Sequence, residues 1–97
     1  MEAFVYILKS LKTNQFYIGS TSKSITQRLA EHNDIAFAKS FTAKGIPYEI
    51  FCSFSCDNIT HARKIENHIK RMKSKVYINN LIKYPEIIDK LKLRYKS

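Results

Sequence analysis

The runs Ala3 to Leu8 and Gln15 to Ser20 are rich in aromatic and β-branched residues, and the stretch Lys9-Ser10-Leu11-Lys12-Thr13-Asn14 between them is polar enough to turn. This pattern predicts an antiparallel β-hairpin at the N-terminus. Pairing of the two strands brings Tyr6 and Tyr17, far apart in the chain, near one another across the sheet. Whatever else forms must pack on that hairpin.

Ser24-Ile25-Thr26-Gln27 has the form of a capping box, and Ile25 with Leu29 makes an i,i+4 apolar pair, so a helix is expected from Ile25 to His32. At about 100° per residue, Arg28 and His32 fall at the edge of its buried stripe, where both can face a cleft above the hairpin. The segment Ala36 to Gly45 has no clear form. Tyr48-Glu49-Ile50-Phe51-Cys52-Ser53-Phe54, led in by Ile46-Pro47, reads as a third, well-buried strand. Asn58 caps a second helix in which Ala62, Ile65, Ile69 and Met72 form a core stripe with Glu66 one position off it. Ser74 caps a third helix carrying Val76, Tyr77, Leu81 and Ile82, and Pro85 stands just inside a fourth with Ile87, Ile88 and Leu91. The predicted order is β-β-α-β-α-α-α, an α+β layered domain with a small antiparallel sheet flanked by helices.

At 97 residues, 44% of them apolar, the chain suits one compact domain that folds alone, with no linker or repeat to divide it. The net charge of +9 is uneven: residues 1–60 hold six Lys/Arg against five Asp/Glu, while residues 61–97 hold eleven against three. A cationic C-terminal third concentrates polyanions through counterion release, which makes nucleic acid the first partner to consider and a solvated lysine-rich surface the plain alternative. Cys52 and Cys56 are expected to be free thiols, because they have neither disulfide-framework nor zinc-site spacing. The start Met1-Glu2-Ala3-Phe4 lacks the cationic and long apolar segments of a signal peptide, and no stretch approaches the roughly 20 apolar residues that span a membrane. A soluble, cytoplasmic protein is expected.

Tyr6 in Phe4-Val5-Tyr6, Tyr17-Ile18-Gly19, Arg28-Leu29-Ala30-Glu31-His32, and Glu66 within Ala62 to Lys73 together resemble the GIY-YIG nuclease superfamily. Phe41-Thr42-Ala43-Lys44-Gly45-Ile46-Pro47-Tyr48 and Ile69-Lys70-Arg71-Met72-Lys73-Ser74-Lys75 resemble its small stand-alone bacterial members. The resemblance spans about Ala3 to Ile82, so a nuclease-like domain over residues 1–82 is expected, with residues 83–97 as a basic helical extension packed on it. Phe4-Val5 stands where the family name has Gly-Ile, and Asn79 and Asn80 correspond to the family's late asparagine only by proximity.

The resemblance implies a three-stranded antiparallel sheet flanked by helices, one divalent metal ion, Mg²⁺ or Mn²⁺, and cleavage of a DNA phosphodiester bond. It gives Tyr6, Tyr17, Arg28, His32 and Glu66 as catalytic residues, with Glu66 also the metal ligand. A carboxylate is a hard ligand for Mg²⁺, and a guanidinium forks across phosphate oxygens as lysine cannot. A tyrosine that activates water needs nearby positive charge to favour its phenolate, and either Tyr6 or Tyr17 fits that role. His32 would relay the proton or hold a tyrosine in place. Gly19 would serve geometry, either by keeping space for the phosphate or helix start or through a positive φ. Lys39, Lys44, Lys70, Arg71, Lys73 and Lys75 are expected to clamp the nucleic-acid backbone.

The plain readings of these residues are half-buried strand tyrosines, a snorkelling arginine, and a glutamate paired with Lys70 or Arg63 on its own helix. The functional expectation is a metal-dependent DNA endonuclease acting as monomer or homodimer, with branched or flapped DNA and RNA left open as substrates. Its alternatives are a nucleic-acid-binding module without turnover, and an interaction domain for an acidic protein or membrane surface.

Overall fold

The computed structural model describes residues 2–34 and 45–96. Three strands, β1 (Ala3–Ser10), β2 (Phe16–Thr21) and β3 (Tyr48–Cys56), form one antiparallel sheet in the order β2-β1-β3. The described helices are α1 (Ile25–His32), α2 (Ile59–Met72), α3 (Lys75–Lys83) and α4 (Glu86–Arg94). This is the α+β arrangement expected from the sequence. Lys39, Lys44 and the rest of the segment up to Gly45 lie outside the described residues.

Each helix start has a local cause. The side chains of Ser24, Asn58 and Ser74 accept hydrogen bonds from the backbone N–H of Gln27, His61 and Tyr77, each satisfying one of the donors that a first turn leaves without a partner. Pro85 is the N-cap of α4, one step earlier than expected; its fixed φ leads into the helix without a side-chain cap.

The strand β1 is covered on both faces. Ala3, Val5 and Ile7 pack with Ala62, Ile65 and Ile69 of α2, Ile78 and Leu81 of α3, and Leu91 of α4. On the opposite face Tyr6 and Leu8 join Tyr48, against which Tyr17, Ile25 and Leu29 pack. Double coverage explains why β1 is apolar along most of its length and does not alternate with polar residues.

One irregularity decides which side chains share a face. Ile7 pairs with Cys52 but Leu8 pairs with Ile50, so β3 carries an extra residue at this point. A single inserted residue reverses the facing of all that lies beyond it. Phe51 stays with the α2-side core, edge-on to Phe16 at 4.8 Å, while Tyr48 is delivered to the same face as Tyr6.

The C-terminal helices are tied down by polar as well as apolar contacts. His61, buried, accepts from the backbone N–H of Asp57 and bonds the Lys92 carbonyl at 2.9 Å through its other ring nitrogen. His68 Nδ1 meets the Tyr95 hydroxyl at 2.7 Å. Both cysteines are free, and burial pushes each thiol above its ordinary pKa, so they behave as apolar packing groups. Among the described residues no helix is long and apolar enough to cross a membrane.

The stripe read from sequence runs one residue too far. Ala62, Ile65 and Ile69 are buried, but Met72 is 44% exposed, because the helix ends there and Lys73 turns away with a φ of 46°. On α3 the buried positions are Ile78 and Leu81, with Val76 and Ile82 exposed. Ile65→Ala should therefore cost about 2–5 kcal/mol in denaturant unfolding. Met72→Ala should cost less than about 1 kcal/mol in the same measurement.

Candidate active site

Tyr6 and Tyr17 are diagonal neighbours: Tyr6 pairs with Gly19, and Leu8, two residues on, pairs with Tyr17. Both side chains thus stand on the face that α1 covers, as the hairpin pattern implied. The ring of His32 packs against both, 4.6 Å from the Tyr17 centroid and 5.8 Å from that of Tyr6, and the Tyr48 ring lies 6.2 Å away edge-on.

Gly19 makes this packing possible. A Cβ on Gly19 would collide with Cζ and the hydroxyl oxygen of Tyr6, whose ring lies directly across the glycine. Its φ is not positive, so neither the backbone freedom of glycine nor space for a ligand is its first reason. The need is room for a phenol.

The Tyr6 hydroxyl is the centre of a polar trio. Arg28 Nη2 donates to it at 3.2 Å, and His32 Nε2 lies 3.2 Å from it, with 3.4 Å between Arg28 Nη2 and His32 Nε2. The guanidinium can only donate, so the phenol oxygen accepts from Arg28; with Arg28 Nη2 also facing His32 Nε2, the consistent arrangement has Nε2 as an acceptor and the phenol proton directed to it. This arrangement corresponds to a neutral imidazole with its proton on Nδ1. Burial, and then the charge of Arg28, lower the His32 pKa against the opposing pull of Glu31, which favours that neutral form.

Tyr6 departs from the expectation of a stabilised phenolate. Burial raises its pKa above 10.0, outweighing the Arg28 hydrogen bond and charge that lower it. At rest it is a phenol. Arg28 is fixed from its other side by Glu31, which accepts from Nη1 at 2.7 Å and has its own pKa lowered chiefly by that hydrogen bond. The Nε of Arg28 is buried and has no hydrogen-bond acceptor among the described residues.

Glu66 approaches from the opposite layer. It lies on α2, and Ser20, whose register partner is Val5, donates a hydrogen bond to its Oε1. Its Oε2 is 2.6 Å from Lys70 Nζ, four residues along the helix, which realises the ion pair that the sequence offered; the Arg63 alternative is not formed. No hydrogen bond joins Glu66 to the trio, yet its charge is near enough to act on Tyr6. Two successive residues of the edge strand connect the halves: Gly19 lies beneath Tyr6, and Ser20 holds Glu66. Their Cα atoms are about 3.8 Å apart and their side-chain directions are opposite.

Of the basic residues expected to clamp nucleic acid, Lys70 alone is brought to this place by a described contact. Arg71 donates to Tyr95 at 3.3 Å, on the side of α2 that faces the C-terminus. Lys73 is the left-handed cap of α2, and Lys75 begins α3, exposed. Asn79, exposed, bonds back to the Lys75 carbonyl at 2.8 Å, away from any site residue. Among the described residues no three His, Cys, Asp or Glu side chains gather as a metal cage.

Ser20, Glu31 and Tyr48 contact the candidate residues although the sequence did not single them out for it. Glu31 was detectable as an opposite charge three residues from Arg28 on a helix. Ser20 was visible only as a hydroxyl next to Gly19, and Tyr48 depends on the bulge in β3, for which the sequence carries no marker. The lowered pKa of His32 leads to a pH prediction. The unfolded chain gains this proton near pH 6.5 and the folded one only at lower pH, so the associated stability is complete above 6.5 and is lost as pH falls through the folded value. The melting temperature should fall below pH 6.5 more steeply in the wild type than in His32→Gln, and the His32 ring should titrate below 6.5 by NMR.

The family model for the GIY-YIG catalytic domain matches residues 2–81 of the chain. No curated protein and no solved structure matches it significantly. The matched span covers the whole sheet, α1, α2 and nearly all of α3, and includes Tyr6, Tyr17, Gly19, Arg28, His32 and Glu66. With a three-stranded antiparallel sheet, a tyrosine pair over one face and a helical glutamate at the edge strand, this chain belongs to the GIY-YIG catalytic domain family, a nuclease-type fold.

Proposed function

We propose that the protein is a metal-dependent DNA endonuclease whose site is built from Tyr6, Tyr17, Arg28, His32 and Glu66. The observation that carries this reading is the Arg28–Tyr6–His32 hydrogen-bonded trio, set one residue along β2 from the Ser20-held carboxylate of Glu66. A purely structural arrangement gains little from burying a guanidinium beside a phenol and a neutral imidazole. A site that must hold phosphate and move a proton gains both.

Arg28 is half-buried and already oriented, so its turn from Tyr6 onto an incoming phosphate replaces one hydrogen bond with a charge-assisted one. The move also frees the Tyr6 oxygen. A water beside the phosphorus can then give a proton to that oxygen while the phenol proton passes to His32 Nε2, leaving hydroxide to attack and an imidazolium behind. Tyr6 need never rest as a phenolate, which accommodates its raised pKa. The imidazolium is favoured by Glu31 and by negative charge gathering on the phosphate. Tyr17, its ring tilted against that of His32 at 4.6 Å, holds the imidazole in register with Tyr6.

A single carboxylate fits an ion such as Mg²⁺ or Mn²⁺, which keeps several waters and completes its shell with substrate oxygens. Glu66 would hold it, with Ser20 fixing the carboxylate. Such an ion, when bound, supplies positive charge to the phosphate and to the leaving oxygen. Lys70, Lys73 and Lys75, with the further positive charge of residues 61–97, suit contacts to the DNA backbone.

Purified protein incubated with branched, flapped, single-stranded and duplex DNA in Mg²⁺ or Mn²⁺ should cut at least one of these substrates. Arg28→Ala should lower the rate by about 10²–10³, with Arg28→Lys close to it, since one donor to developing charge is worth that much. Glu66→Ala should abolish turnover at any metal concentration. Binding without cutting above the level of Glu66→Ala would instead make the protein a nucleic-acid-binding module of the same fold.

A further inference from the structure

Both oxygens of Glu66 are engaged before any metal arrives. Ser20 donates to Oε1, and Lys70 places its ammonium 2.6 Å from Oε2, so a lysine holds the position on Oε2 that a divalent cation would need. The two partners differ in freedom. Ser20 carries its hydroxyl on a one-carbon stem of the edge strand and stays near Glu66, whereas Lys70 is half-exposed on a flexible four-carbon stem and can swing away.

We propose that Lys70 is an internal competitor for the metal site: its ammonium neutralises Glu66 in the free protein, is displaced when a divalent ion binds, and then contacts the DNA backbone. The inference rests on Glu66 being the metal ligand. Its physical basis is charge. A divalent ion and an ammonium repel one another when both sit at contact distance from one carboxylate oxygen, and Ser20 leaves Oε2 as the oxygen to be contested. Once released, Lys70 is a free cation one helical turn from Glu66, beside the place where the phosphate must lie. Metal binding therefore creates a phosphate contact that the metal-free protein lacks, and DNA binding tightens metal binding in return.

Direct Mn²⁺ binding without DNA, followed by calorimetry or by the electron spin resonance of free Mn²⁺, separates the ideas. Lys70→Met should bind Mn²⁺ about two- to fivefold more tightly than the wild type, the range set by a partly exposed ion pair. Ser20→Ala should bind it more weakly, and Glu66→Gln should not bind it. Equal or weaker Mn²⁺ binding by Lys70→Met, with Glu66→Gln still inactive in binding, overturns the competitor role and leaves Glu66 as ligand. Unchanged binding by Glu66→Gln overturns both. A second measurement reads the released ammonium in an Arg28→Ala background, where turnover is suppressed. With Mn²⁺ present, Lys70→Met should reduce the salt slope of duplex binding by about one, and without Mn²⁺ it should leave the slope unchanged. An equal reduction in both conditions would show that Lys70 contacts DNA whether or not metal is bound, and would overturn the displacement.

Discussion

The rest of the molecule depends on β1 being buried on both faces. Val5 and Ile7 anchor α2 on one side while Tyr6 and Leu8 anchor α1 on the other, so the helix with Arg28 and His32 and the helix with Glu66 are positioned by one strand. A central strand is the stiffest place in a small sheet, since both its hydrogen-bonding edges are used. Registry between the two layers is consequently a property of the core and needs no surface contact to maintain it.

Within that frame the polar chemistry is governed by burial more than by charge. Tyr6 stays protonated although a guanidinium donates to it, and His32 stays neutral although Glu31 is close by. The two forms are complementary: a phenol has a proton to donate, and a neutral imidazole has a lone pair to accept it. Arg28 keeps the phenol oxygen occupied by donating to it. Its buried Nε, which has no acceptor among the described residues, fits a residue that is placed for more than its resting contacts.

Much of this was legible in the amino-acid order. Aromatic and β-branched content around a polar turn gave the hairpin, capping residues gave all three side-chain-capped helix starts, and the family pattern pointed to the tyrosines, Arg28, His32 and Glu66. What could not be read was of three kinds. Met72 continues the helical period of Ile65 and Ile69, but periodicity says nothing about where the covering layer stops. Tyr48 reaches the Tyr6 face only through an inserted residue in β3, and a bulge is a relation between strands, with no signature along one. The sign of the Tyr6 shift was likewise beyond sequence, because it compares a burial that only packing defines with a charge that sequence reveals.

Asn33, at the end of α1, grips the backbone of Tyr48 from both sides, its amide nitrogen 3.0 Å from the carbonyl and its amide oxygen 2.6 Å from the N–H. Ser10 meanwhile donates to the Gly45 carbonyl at 2.6 Å. The chain between α1 and β3 is therefore bracketed by fixed clasps at its departure and its return. Related proteins could lengthen, shorten or rewrite that connection without disturbing the sheet and the helix that it joins.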